Sequence, residues 1–234
     1  MGEESGDGGD CVIYFTADLH FGHKNIIDFC HRPFSDVNEM RECIINAINA
    51  KVKEKDELWV LGDFGLHLRT EDVKELLRRL VCKRTRLILG NHDEQQHGRC
   101  FEQMHQAFVL RDNHRSFYLS HYPLRSWRAN FQLHGHEHGT MAPMVGQLDV
   151  GVDVQLYGRR TVDGGLLPAT QFGTPWSIEE VVEYVQRRDG EKLSRDACKQ
   201  KHGDRLIVGG YGGRNKLEQP SFAAVSRDDG GDGE

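Results

Sequence analysis

At 234 residues, with 38% hydrophobic and 28% charged side chains and a formal net charge of −6, the chain can bury one substantial core. Its acidic balance excludes general electrostatic capture of nucleic acid or anionic lipid, leaving only local basic patches. No apolar run approaches the roughly 20 residues of a membrane-spanning helix. The start MGEESGDGGD has neither the basic nor the apolar region of a secretory signal, so the expected compartment is the cytoplasm.

In chain order, 1–10 is expected to be a disordered acidic segment. VIYFT at 12–16 is a short run of β-formers and is expected to be a buried strand. A helix is expected over 36–53, where Asp36 and Glu39 form a capping pair and Met40, Ile44, Ile48 and Val52 repeat on one face. LWVL at 58–61 is the second strand. The next helix starts near Thr70, with Glu71 and Asp72 at the positive end of its dipole and Val73, Leu76, Leu77 and Leu80 as its buried stripe. RLIL at 86–89 completes a β-α-β-α-β run, which predicts a parallel sheet covered by helices.

Residues 98–107 are expected to be helical. From 108 short strands follow: FVL (108–110), SFYLS (116–120), NFQLH (130–134) and QLDVGV (147–152). They suggest a second, more antiparallel sheet packed on the first. The segment 154–176 is expected to be a loop insertion, either beside the site or without consequence. Ser177 and Glu180 form a further capping box opening a last helix that ends near Gly190. The rest, 190–234, is charged and Gly-rich and is expected to be mostly disordered, with one strand-like stretch, RLIVGGY.

Six cysteines are scattered without a CxxC pair, so free thiols are expected rather than a disulfide framework. The thirteen histidines are more informative. VIYFT runs into Asp18 and His20, LWVL into Gly62 and Asp63, and RLIL into Asn91, His92 and Asp93. SFYLS runs into His121, and NFQLH into His136 and His138. Loops beyond the carboxyl ends of strands in an α/β sheet converge on one edge, where ligands bind. Carboxylate, amide oxygen and imidazole are borderline-to-hard donors suited to Mn²⁺, Fe or Zn²⁺. Seven such donors are too many for one tetrahedral ion and suit two ions sharing a carboxylate. That arrangement lowers the pKa of a bridging water and clamps an in-line displacement at phosphorus.

The blocks DLH (18–20), GD (62–63), GNHD (90–93), SHYP (120–123) and GHEH (135–138) resemble, in order and spacing, those of the calcineurin-like metallophosphoesterases. The flanks FTADLHFGHKNI and SHYPLRSW are similar to the small bacterial and phage-type branch, and the likeness extends to LDVGVD at 148–153 and the SIEEVV helix. The resemblance implies an α/β fold of two packed mixed β-sheets flanked by helices, a four-layer sandwich over 11–189. It implies two divalent ions, Mn²⁺ foremost, with Fe or Zn²⁺ as alternatives. Asp18, His20, Asp63 and His138 would hold one, and Asp63, Asn91, His121 and His136 the other, with Asp63 bridging. His92 would be the catalytic residue, protonating the leaving oxygen or stabilising charge on phosphate, and a metal-bridging hydroxide would attack. Glycines 62, 90 and 135 are expected to let the backbone turn sharply. Asp93 either fixes its loop or takes a further part, and His134 either supports the site or packs in the core.

The protein Ser/Thr phosphatase branch places a second Asp where this chain has Leu66 in GDFGLHL, which argues against that branch. His67 either orients His92 or sits on the surface. His23, Lys24, Arg125 and Arg128 are the substrate-contact candidates, the arginines as possible forks for phosphate oxygens, against a plain solvated surface. Trp127 either stacks on a base or packs in the core, and Arg159 and Arg160 are read as surface charge.

The implied activity is hydrolysis of phosphomonoesters or small phosphodiesters, with a nucleotide among the candidate substrates. A nuclease is the same-class alternative, weakened by the acidic balance. A non-catalytic scaffold is the different-class one, opposed by the complete set of donors. The sequence indicates no protein partner.

Overall fold

The computed structural model describes residues 10–155 and 172–203. The expectations for the extreme N-terminus, for Arg159 and Arg160 and most of 154–176, and for RLIVGGY and the rest of the tail lie outside the described residues. Two compact units divide the chain, Met1–Asp196 and Ala197–Glu234. Both sheets and all the candidate site residues belong to the first.

Strand β1 (Ile13–Thr16) leads through a short helix α1 (Ile26–Phe29) to α2 (Val37–Lys51), then β2 (Glu57–Val60), α3 (Thr70–Arg79) and β3 (Arg84–Ile88). Helix α2 begins where expected: the Asp36 carboxylate accepts from the Asn38 and Glu39 amides. Glu39, however, reaches back to the Ser35 amide and hydroxyl, not to Asp36. Strands β1, β2 and β3 pair in parallel. Their alternation buries both faces. Tyr14, Leu58, Val60 and Leu87 pack with Met40, Ile44 and Ile48 of α2 and Val73 and Leu76 of α3. Phe15, Trp59, Leu61 and Ile88 turn the other way, into a core shared with the second sheet.

The helix expected over 98–107 is not formed. A single turn, α4 (Gln95–Gly98), precedes β4 (Gln103–His105), which adds to β3 in parallel. The open edge of β3 supplies ladder partners, with Glu102 donating to the Thr85 carbonyl and Leu89 to that of His105, and these outweigh a weak helical pattern. Gly98 also lies against the Met104 side chain, where any Cβ would collide.

The second sheet runs β5 (Ala107–Asp112), β6 (Arg115–Ser120), β7 (Phe131–His134) and β8 (Gln147–Asp149), in that spatial order. Only β5 and β6 are antiparallel; β6, β7 and β8 are parallel, so the sheet is mixed rather than mainly antiparallel. Its parallel part matters for the site, because the carboxyl ends of β6 and β7 then leave by one edge. The stretch read as a strand to 152 ends at Asp149, and a 3-10 turn follows at Val152–Gln155.

A further strand, β9 (Trp176–Ser177), falls at the end of the expected insertion and pairs antiparallel with β1, so the first sheet has the order β4-β3-β2-β1-β9. Ser177 and Glu180 cap α5 reciprocally as expected. Helix α5 runs Ile178–Gly203, well past Gly190, so the start of the expected tail is helical. Val181, Val182 and Val185 of α5 enter the core between the sheets. The fold is α/β, with two mixed sheets facing each other and helices against them. Among the described residues, no helix is long and apolar enough to cross a membrane.

Candidate metal centre

Main-chain bonds tie the loop leaving β1 to that leaving β2, and the loop leaving β6 to that leaving β7. Asp18 donates to the Gly62 carbonyl and His20 to that of Asp63, at 3.0 and 2.9 Å, and Gly135 donates to His121 at 3.0 Å. The site backbone is held in an uncommon conformation. Of the eight described non-glycine residues with positive φ, five are Asp18, His20, Asp63, His136 and His138. L-residues enter that region at a cost, and such costs collect at functional sites.

The seven expected donors come together. Asp18, His20 and His138 offer ligand atoms within 4.8 Å of one another, and so do Asp18, Asp63 and His121. The Asp63 Oδ2 lies 3.5 Å from His20 Nε2 and 3.5 Å from His121 Nε2, between the two sets. Asn91 Oδ1 is 3.0 Å from both His121 Nε2 and His136 Nδ1. His92 Nε2 stands 4.0 Å from Asp63 Oδ2, and that same distance would let it join His20 and Asp63 as a donor. Its backbone N–H donates to Asp63 Oδ1 at 2.9 Å, which locks GNHD onto the central carboxylate.

Two of the three glycines act differently from expectation. Only Gly62 among the three has a positive φ, at +94°; a Cβ there would fall 2.2 Å from His121 Nδ1. Gly90 and Gly135 are needed for close approach, since a Cβ would lie 2.2 Å from Asp63 Oδ1 or 2.6 Å from Asp18 Oδ2. Asp93 fixes loops: its carboxylate accepts from the amides of Asp63, Phe64 and Gly90 at 2.8–2.9 Å.

Burial, followed by the Asp149 charge, pushes the Asp18 carboxyl well up. Burial lowers the His20 imidazole, as do the charges of Arg32 and of the neighbouring histidines. Burial also lowers His121. Both rings are thereby kept neutral, the form that binds a cation. For His138 burial acts downward, but hydrogen bonds to Asp153 and Cys30 and the charges of Asp18 and Asp153 prevail and push it up to about 11. A metal there would have to displace a proton.

The residues fit a pair of divalent metal ions. His20 Nε2 is buried with no hydrogen-bond partner among the described residues, at the point where Asp63 faces it. An orphaned buried nitrogen is costly unless something takes its lone pair. The donor set, carboxylates, an amide oxygen and imidazoles with no thiolate, suits hard-to-borderline divalent ions.

His23 lies over the site with its Nδ1 3.1 Å from His20 Nδ1, so it also braces a donor. Lys24, Arg125 and Arg128 are exposed, and among the described residues they form no ion pair. His67 is exposed, and no hydrogen bond joins it to His92 among the described residues. His134 is buried in β7, with Nδ1 2.8 Å from the Gly135 carbonyl, and Trp127 is half-buried.

Sequence reasoning missed Arg32, Asp149 and Asp153. The Asp149 carboxylate accepts from the Gly139 and Gly151 amides at 2.9 and 2.8 Å, clamping the end of the GHEHG loop. Asp153 Oδ2 is 2.6 Å from His138 Nδ1 and also takes a bond from Arg32. The one available signal was the pair of acids, Asp149 and Asp153, in the LDVGVD stretch that follows the last donor block.

These loops define a candidate dinuclear metal centre at the edge where two mixed sheets meet. The uncharacterized protein MJ1445 of Methanocaldococcus jannaschii is 38% identical over 130 residues, covering 54% of this chain and 69% of that protein. The chain belongs to the same family as MJ1445. The Gene 66 protein of Mycobacterium phage L5 is 28% identical, over 60% of this chain and 86% of its own length. Among solved structures, the protein of unknown function AQ665 from Aquifex aeolicus overlays with a TM-score of 0.55 at 20% identity, covering 74% of this chain and 99% of that one; this likeness bears on the fold. Yfce, a phosphoesterase from E. coli, overlays at a TM-score of 0.33 with 16% identity, over 60% of this chain and 75% of that one, too loosely to bear on function. No family model matches the chain.

Proposed function

We propose that the chain is a dinuclear-metal-dependent phosphoesterase of the calcineurin-like type, acting on phosphomonoesters or small phosphodiesters. The observation that carries this reading is the position of Asp63, whose Oδ2 stands 3.5 Å from a histidine of each donor set. Asp18, His20, Asp63 and His138 would hold one ion and Asp63, Asn91, His121 and His136 the other, with Mn²⁺ the first choice. Bound there, the ions supply Lewis acidity toward phosphoryl oxygens and lower the pKa of the attacking water.

The chain's own groups do the rest. His92, half-buried and linked through its amide to Asp63, reaches toward the leaving oxygen as a proton donor. His23, steadied on His20, lies beside His92 with ring centroids 5.8 Å apart, and is a candidate substrate contact. Arg125, close in sequence to His121, is the candidate for gripping phosphate from the solvent side. The branch reading rests on the flanks of the DLH and SHYP blocks, and a cytoplasmic location on the sequence expectation alone.

A nucleic-acid phosphodiesterase is the second reading, favoured by Lys24, Arg125 and Arg128, which carry no ion pair among the described residues. Steep loss of substrate affinity with rising salt would select it. The test of the main reading is a Mn²⁺-reconstituted assay of monoester, diester and nucleotide substrates, alongside metal analysis. Hydrolysis with two ions per chain is the expected result. Two bound ions and no hydrolysis of any substrate would select a non-catalytic role.

A further inference from the structure

Arg32 lies just beyond α1 and is almost fully buried. Its guanidinium grips Asp153 with two parallel bonds, Nε to Oδ1 at 2.8 Å and Nη2 to Oδ2 at 2.6 Å. Two further bonds go to main-chain oxygens of the first donor loop, Nη2 to the Asp18 carbonyl at 2.7 Å and Nη1 to that of Leu19 at 3.1 Å, and Nη1 also meets the Met40 sulfur at 3.3 Å. The Phe172 ring lies against the guanidinium, its centroid 5.5 Å from the central carbon. Asp153 Oδ2 then meets His138 Nδ1 at 2.6 Å. One buried cation, paired with a carboxylate 121 residues away, thus joins the DLH loop to the GHEH loop.

A buried ion pair is weak evidence of stability, because desolvation offsets most of its attraction. Its geometry here has another consequence. With Nδ1 of His138 held by Asp153, Nε2 is the nitrogen left for an ion, and the ring is fixed at a 5.2 Å stacking distance from His20. A carboxylate behind a ligating imidazole sets tautomer and orientation and raises donor strength. The Arg32 bonds to the Asp18 and Leu19 carbonyls hold the positive-φ turn that presents the Asp18 carboxylate and the His20 ring. Cys30, His138 and Asp153 also lie close enough to form a donor group. That group does not make a third site, because both Asp153 oxygens are occupied by Arg32 and one of them also by His138.

We propose that Arg32 and Asp153 are positioning residues of the metal centre, presetting Asp18, His20 and His138 as donors for one of its two ions. This rests on the two-ion reading of the proposed function. The pair touches neither substrate nor reacting atoms; it acts through His138 and through the backbone of the DLH turn. Ion affinity, rather than turnover by the loaded protein, is therefore where its loss is felt first.

The test uses the full chain, stripped of metal and titrated with Mn²⁺ by calorimetry, with the absorption spectrum of the Co²⁺ form as a second readout. Asp153→Asn keeps the shape and removes the carboxylate; the paired change Arg32→Met with Asp153→Leu removes both charges and keeps a filled core. In each, one of the two ions is expected to bind about 10- to 100-fold more weakly with an altered Co²⁺ spectrum, while the other keeps its wild-type affinity. Wild-type affinity for both ions in either folded variant would overturn the proposal. So would failure of both variants to fold, which would make the pair an element of stability alone. Wild-type protein that takes up no ions would instead contradict the two-ion reading on which the proposal rests.

Discussion

The two halves of the candidate centre are built by different means. In the half containing Asp18, His20 and His138, side chains stand behind the imidazoles: His23 behind His20 at 3.1 Å and Asp153 behind His138 at 2.6 Å. In the half containing Asn91, His121 and His136, main-chain groups are used instead: the Leu61 carbonyl stands behind His121 Nδ1 at 2.9 Å, and His136 is held by its own amide, which donates to the Asp18 carboxylate at 3.0 Å. Asn91 is exposed, whereas Asp18 and His20 are buried. The first half should therefore be vulnerable to changes in side chains that never touch an ion, and the second to changes that add bulk against its backbone.

Asp63 belongs to both halves, and its removal is expected to have the largest effect. Asp63→Ala should release both ions and take turnover to background, measured by metal analysis and the Mn²⁺ assay together. Retention of both ions would mean that the halves are independent sites rather than a shared one.

His92 is next. His92→Ala is expected to leave both ions bound and to lower turnover on the order of 10²-fold or more. Ion loss in this variant would instead make His92 a donor, as its 4.0 Å approach to Asp63 allows.

Gly62→Ala sharpens the contrast between the halves. A Cβ at this position meets His121 Nδ1 at 2.2 Å in a backbone region with φ of +94°. The expected strain is about 1–3 kcal/mol, seen as a lower melting temperature and as weaker binding of the ion held by His121. Equal weakening of both ions would contradict the division between the halves.

The smallest effect is expected far from either half. Arg79 and Glu42 pair between α3 and α2 at half-exposed positions, so Glu42→Ala should cost no more than about 1 kcal/mol and leave ion binding unchanged. The hydrogen bond from Arg79, helped by Arg41, holds the Glu42 carboxyl down at about 2 against the opposing effect of desolvation. Its contribution is thus present above the ordinary glutamate range and is lost as the pH falls toward about 2. Melting curves at neutral and acidic pH check this.

The sequence was most readable where chemistry and periodicity coincide. The short apolar runs VIYFT, LWVL and RLIL marked buried strands, and each candidate donor followed a strand end, so the seven residues that the fold brings together could be named before their distances were known. Strands β4 and β9 were not readable, because each exists only by pairing with a free edge, of β3 and of β1. The parallel direction of β6, β7 and β8 also depends on how two loops cross over, which residue patterns do not encode. Arg32 and Asp153 look like ordinary surface charges in the sequence, and their bond joins positions 121 residues apart. Gly90 and Gly135 were attributed to sharp turns, whereas the space they leave is taken by the carboxylates of Asp63 and Asp18.

The central claim is that one carboxylate is shared by two ions. Anomalous diffraction from crystals of the Mn²⁺-loaded protein tests it most directly. Two peaks are expected, one against Asp18, His20 and His138 and the other against Asn91, His121 and His136, with Asp63 between them. A single peak, or two peaks of which neither touches Asp63, would contradict the claim.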